Sequence, residues 1–301
     1  MKYNKIAAVF FPEDKICLSL SLVILILQIY FGLFAAVIAP LVSLVILLAL
    51  IYFQSGSSSK ILKFFRSYIH IPIYGIIFTA FQTFAHKLNP TDYDWLLLKI
   101  DNSVFRFDVT VWMQQFISKP ATELLTLSYF SYYILPTLTF LLLFLQKNRN
   151  DSYINAKKYL LAIVIGWYFA FVCYAILPAA GPDIAFPQHY NITLIGLSPL
   201  TIGYLESIGK YLRESHVRNT FPSMHFGIIL ITNYFAFKFR RRYFFFCTMP
   251  LGFLLGIATL YLRQHYLIDL AGSVIIAACS IYIASRFAKA SPLQNRQKIT
   301  S

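Results

Sequence analysis

A chain of 301 residues that is 58% hydrophobic and 18% aromatic, with a mean hydropathy of +0.63, lies outside the range of soluble domains. A soluble one- or two-domain fold is therefore excluded, and a bilayer is the solvent that such a composition implies. The formal net charge of +14 draws attention to Lys238–Arg242, yet short basic loops between apolar spans are what orients membrane proteins, so the charge reads as topology and no nucleic-acid partner is expected.

In chain order, the first residues place Glu13 and Asp14 among lysines, and no small-residue cleavage pattern follows, so no removable signal peptide is expected. Ile16 to Phe53 carries no charged side chain and is long enough for two short crossings with a bend near Gly32. Further spans are expected at Arg66 to Ala85, Glu123 to Leu145, Tyr159 to Leu177, Pro222 to Phe239, Phe244 to Leu262 and Tyr266 to Phe287, making eight helices in an all-α polytopic bundle. Between Lys87 and Thr122, apolar and charged residues alternate too closely for spanning and suit an interfacial helix anchored by Trp95 and Trp112. Pro178 to Phe221 reads as a long loop with a short helix around Leu205 to Arg213. Cys17, Cys173, Cys247 and Cys279 all sit in apolar runs and are expected to pack rather than form disulfides.

Applied to alternate loops, the positive-inside rule gives one orientation. Lys60, Lys63 and Arg66; Lys147, Arg149, Lys157 and Lys158; Lys238 and Arg240 to Arg242; and Arg286, Lys289, Arg296 and Lys298 share one side, the cytoplasmic one, together with both termini. The loops Lys87 to Thr122 and Pro178 to Phe221 and the turn Arg263 to His265 then face outside or into a lumen.

On that outer surface lie the unusual polar residues: Arg218, the run Phe221-Pro222-Ser223-Met224-His225, and Arg263-Gln264-His265 followed by Asp269. His265 and Asp269 are four apart and share a helix face, so the carboxylate can fix one imidazole nitrogen and leave the other basic, as a nucleophile or general base. By itself this pair is as well explained by a polar contact between helices. Pro222 suits the first turn of a helix whose free amides, that of Met224 among them, make an anion site, with His225 just inside it. Arg218 and Arg263 are the cations available to a phosphate, lipid-headgroup contact being their other reading. His189 and His216 read as solvated loop histidines, and Tyr261 and Tyr266 as residues of the interfacial aromatic belt.

FPSMH followed by QHYLIDLAG resembles the second and third signature motifs of the type 2 phosphatidate phosphatase superfamily, and most resembles the branch containing the inositol phosphorylceramide synthases. The spacing of the two histidines also suits that branch. The resemblance covers roughly Asp101 to Ala284 and implies a six-helix core preceded by additional helices. It divides the chain into N-terminal helices over 1–86, a catalytic membrane domain over 87–290 and a tail over 291–301. It also implies His265 as a nucleophile forming phosphohistidine, His225 as general acid, Asp269 as the residue orienting His265, and Ser223 with nearby amides as the phosphate cradle. The first phosphatase motif has no clear counterpart, Thr259 stands where the family has an arginine, and Asp183 occupies a position that is basic in the transferase branch.

The chemistry implied is hydrolysis of a lipid phosphate, or transfer of its phosphoryl-bearing group to an alcohol acceptor, with no cofactor. Two other classes stay open on sequence: a metal enzyme using the same His, His and Asp as ligands, and a non-catalytic lipid carrier.

Overall fold

A computed structural model describes residues 10–55, 57, 59–146, 152–214, 217–239 and 242–287. His216, Lys147, Arg149, Arg240, Arg241, Lys289, Arg296 and Lys298 lie outside them. Among the described residues, all regular structure is helical. The long helices are α1 (Pro12–Tyr30), α2 (Ile38–Ser55), α3 (Lys60–Gln82, interrupted at Ile69), α4 (Asp94–Phe105), α5 (Lys119–Phe144), α6 (Ser152–Ile176), α7 (Pro199–Glu214), α8 (Met224–Lys238), α9 (Arg242–Tyr261) and α10 (Leu267–Phe287). The chain is thus an all-α polytopic membrane protein.

Each of the eight expected spans has a helix, but among the described residues six are long and apolar enough to cross a membrane: Phe34–Ser55, α3, α5, α6, α9 and α10. The other two fall short for different reasons. Helix α1 opens on Glu13, Asp14 and Lys15. Helix α8 has 15 residues, about 22 Å of rise against a hydrocarbon core of about 30 Å. The bend expected near Gly32 is present, with φ +72 at that residue, a left-handed conformation that lacks a steric penalty only for glycine.

The chain forms two compact units. The first comprises the described residues among 1–84, 139–168 and 278–301. In it, α3 begins earlier than expected, at Lys60, because Ser59 caps it by accepting from the Leu62 N–H. Arg66, expected as a loop charge, is consequently inside the helix and 1% exposed. It pairs with Asp14 at 2.5 Å, and Asp14 also meets His70 Nε2 at 3.1 Å. Lys157 and Glu13 form a second pair at 2.5 Å, and the Lys157 ammonium lies over the Phe11 ring. Buried Gln28 joins α1 to α3 by donating to the Ala80 carbonyl and Thr83 Oγ1.

The second unit comprises 85–138 and 169–277. Helices α8 and α9 approach closely because Gly252 and Gly256 lack a Cβ: one at Gly252 would lie 2.6 Å from Ile229, and one at Gly256 2.9 Å from Phe226. The mixed segment is broken rather than continuous: α4 ends at Arg106, which adopts φ +64, and Asp108 then caps a short helix at Val109–Trp112. Helix α7 is longer than expected, since Ser198 caps it through the Thr201 N–H and is itself held by the Glu123 carboxylate. All four cysteines are free; Cys17 is buried, whereas Cys247 and Cys279 are exposed on their helices instead of packed.

Candidate functional site

The site is built where α8 and α10 begin, entirely within the second unit. Helix α9 ends in a turn whose Arg263 has φ +60, uncommon for a side chain with a Cβ. Within that turn the N–H groups of Gln264 and His265 both donate to the Thr259 carbonyl, at 3.0 and 3.2 Å, which fixes the His265 backbone. Helix α10 follows at Leu267, and its first free N–H groups, on Leu267 and Ile268, donate to the Asp101 carboxylate at 2.7 and 2.8 Å. A residue from α4 therefore supplies an anionic cap to α10 from outside the helix.

Helix α8 begins at Met224 with Ser223 as its N-cap, so Pro222 lies before the helix and not in its first turn as the sequence suggested. Ser223 donates its N–H to the Asp269 carbonyl at 3.2 Å. Ser273 Oγ then bridges the two helix starts, 2.6 Å from the Ser223 carbonyl and 2.7 Å from that of Asp269. These contacts hold the two motif segments in register.

The result brings His225, His265 and Asp269 together. His225 Nδ1 lies 3.4 Å from His265 Nε2. His265 Nδ1 lies 3.0 Å from the Thr220 carbonyl and 3.2 Å from Asp269 Oδ2. A carbonyl oxygen only accepts, so Nδ1 carries the hydrogen and Nε2 presents its lone pair toward His225. Asp269 Oδ2 also accepts from the Tyr266 N–H at 2.8 Å. Burial of His265, reinforced by the neighbouring His225 imidazole, holds it well below the ordinary histidine range, so it is a free base at neutral pH.

Two buried oxygens at the site make no hydrogen bond among the described residues, Ser223 Oγ and Asp269 Oδ1. With the α8 amides that follow Ser223, the hydroxyl offers the kind of donor set that holds an anion. The backbone N–H of Met224 belongs to this turn, and its side chain is buried.

The two candidate arginines point into other contacts. Arg218 is 5% exposed and donates to the Asp92 carboxylate and to the carbonyls of Asn89 and Thr91. Arg263 donates to the Ile192 carbonyl, lies 3.7 Å from Asp183 and stacks over the Tyr190 ring. Both bind loops to loops. Tyr261 and Tyr266, expected in an interfacial belt, are 3% and 1% exposed. The Tyr261 hydroxyl meets Thr122 Oγ1 at 2.8 Å, and that of Tyr266 donates to Asp94 at 2.9 Å. His189 stacks on Phe186 and lies 3.7 Å from Asp108.

Sequence reasoning missed the supporting residues. Asp94 accepts from the N–H groups of Ala180 and Gly181 and from Tyr266, thereby seating the 178–181 loop, whose Ala179 carbonyl accepts from Thr220. Burial pushes the carboxyls of Asp94 and Asp101 up, against the pull of these donors. Tyr129, on α5, places its hydroxyl 2.7 Å from His225 Nε2. Acids spaced seven apart in a membrane-protein segment were the available signal for Asp94 and Asp101; nothing local marked Tyr129.

Asp269 lies on the Nδ1 side of His265 and His225 on its Nε2 side, so the three do not converge on one point. Among the described residues, no group of three or more His, Cys, Asp or Glu side chains is arranged to hold a metal ion.

A family model described as the PAP2 superfamily matches residues 95–283. The chain is also similar to a PA-phosphatase related-family protein of Dictyostelium discoideum, 27% identical over 209 residues, covering 62% of this chain and 37% of that protein. The chain thus spans little more than a third of that relative's length. No solved structure matches.

Proposed function

Because the chain belongs to the PAP2 superfamily, we propose that it is a membrane-embedded enzyme that hydrolyses a lipid phosphate ester or transfers its phosphoryl-bearing group to an alcohol, through a phosphohistidine. The observation that carries this reading is the pair of imidazoles with His265 Nε2 and His225 Nδ1 3.4 Å apart and Asp269 behind His265.

His265 Nε2 attacks phosphorus as the bond to the leaving alcohol breaks. His225 Nδ1 gives its proton to the departing oxygen. Positive charge that develops on His265 is stabilised by Asp269 through Nδ1–H, and Ser223 Oγ with the first amides of α8 binds the non-bridging oxygens. The two rings part to admit the phosphate between them. Water or an acceptor alcohol then attacks the phosphohistidine, its proton passing to His225. Similarity to a PA-phosphatase related protein supports a lipid phosphate as substrate. Loop charges support a site facing outside or a lumen, with both termini cytoplasmic, in a plasma or internal membrane.

Radiolabelled lipid phosphates offered to purified wild-type protein and His265→Ala, with and without alcohol acceptors, test this directly. Acid-labile label on the wild-type protein is expected, and the fate of the label separates hydrolysis from transfer. Normal turnover by His265→Ala would overturn the mechanism.

A further inference from the structure

The reaction above uses only one nitrogen of His225. The other, Nε2, lies 2.7 Å from Tyr129 Oη. Tyr129 is 2% exposed and packs with Leu125, Ala258, Tyr261 and Leu262. The His225 ring sits between two tyrosines, its centroid 4.7 Å from that of Tyr129 and 4.6 Å from that of Tyr132. That packing fixes which nitrogen faces the phenol and which faces His265.

The two nitrogens of an imidazole are linked: a hydrogen held on one of a neutral ring leaves a lone pair on the other. A phenol oxygen accepts from an N–H as well as donating to a bare nitrogen, so Tyr129 gives Nε2–H of His225 a buried acceptor both in the protonated ring and in the neutral ring that keeps its hydrogen there. Resting on the phosphohistidine reading, we propose that Tyr129 is a positioning residue that directs proton transfer to and from His225 through Nδ1, the nitrogen facing His265.

With Tyr129 Oη accepting from Nε2–H, the ring, which takes up a proton as the phosphate anion enters beside it, releases its Nδ1 proton to the leaving alkoxide as the phosphorus–oxygen bond breaks and the His265 Nε2–phosphorus bond forms. The neutral ring that remains keeps its hydrogen on Nε2. Its Nδ1 lone pair then takes the proton of water or the acceptor alcohol as the new phosphorus–oxygen bond forms and His265 is released. Without the hydroxyl, Nε2–H is left buried with no acceptor, which disfavours both the protonated ring that acts as the acid and the neutral ring whose Nδ1 is the base.

Tyr129→Phe removes the hydroxyl and keeps the ring packing. Single-turnover release should be compared for an alkyl phosphate and a nitrophenyl phosphate, because a poor leaving group needs the acid and a good one does not. We expect alkyl alcohol release to slow by about tenfold, and nitrophenolate release by less than about twofold. In a His225→Ala background, Tyr129→Phe should add no further loss on either substrate. Equal slowing of both leaving groups, or a loss that adds to that of His225→Ala, would mean a purely structural role and overturn the assignment. Unchanged rates in His225→Ala and His265→Ala would instead overturn the phosphohistidine reading, and this assignment with it.

Discussion

Each unit buries a histidine beside an aspartate, and the two pairs have opposite outcomes. In the first unit, His70 uses both ring nitrogens: Nδ1 lies 3.0 Å from the Ser67 carbonyl and Nε2 3.1 Å from Asp14. Arg66 meets the same carboxylate, so the cluster closes on itself. In the second unit, the Thr220 carbonyl and Asp269 both engage His265 Nδ1, and Nε2 faces the His225 ring. Residue types alone do not distinguish a structural pair from a reactive one. The deciding feature is whether the acceptors share a nitrogen or divide the two between them.

This contrast is most exposed to His265→Ala. If the second unit's pair is the reactive one, its turnover should fall on the order of 10⁴-fold, while thermal unfolding in detergent stays near wild type. Arg66→Ala should do the reverse. It takes the guanidinium away from the buried Asp14 carboxylate, which keeps only His70 and the Phe11 N–H, at about 3 kcal/mol of stability, and the protein that remains folded should keep its kcat. A large kcat loss in folded Arg66→Ala protein would break the comparison.

A pH profile sharpens it. His265 is held below the ordinary histidine range in the folded protein, whereas the unfolded chain takes up that proton near pH 6.5. Below about pH 6.5 the unfolded state binds more protons, so this group's contribution to stability falls as pH falls, and the nucleophile stays unprotonated into that range. The acidic limb of kcat/KM should therefore lie below about pH 6.5; a limb above it would mean that Asp269 outweighs burial. The smallest effect is expected from Asp101→Ala. Losing the cap on α10 should cost about 1 kcal/mol and lower kcat severalfold without changing the leaving-group dependence.

Much of the architecture was legible because hydropathy and helix caps are local. The turn at Gly32 and the extents of α9 and α10 follow from neighbouring residues. The same local reasoning misplaced Arg66, whose burial depends on Asp14, 52 positions earlier in the chain. It also offered Arg218 and Arg263 as the cations available to a phosphate, with headgroup contact as their other reading, and could not show their contacts to Asp92 and the Ile192 carbonyl, 126 and 71 positions away. Tyr261 and Tyr266 have the composition of an interfacial belt, and only their contacts with Thr122 and Asp94 show them to be internal struts.

By itself, then, the sequence determined that the chain is a membrane protein, where its helices lie, and that His225, His265 and Asp269 are the residues to consider, since each of these depends on composition or short spacing. Tertiary structure decided what those residues can do. The Thr220 carbonyl on His265 Nδ1, the Asp101 cap on α10 and the Tyr129 contact to His225 join residues 45, 166 and 96 positions apart. Hydrogen bonds of a few ångströms across such separations are set by packing, which no local pattern encodes.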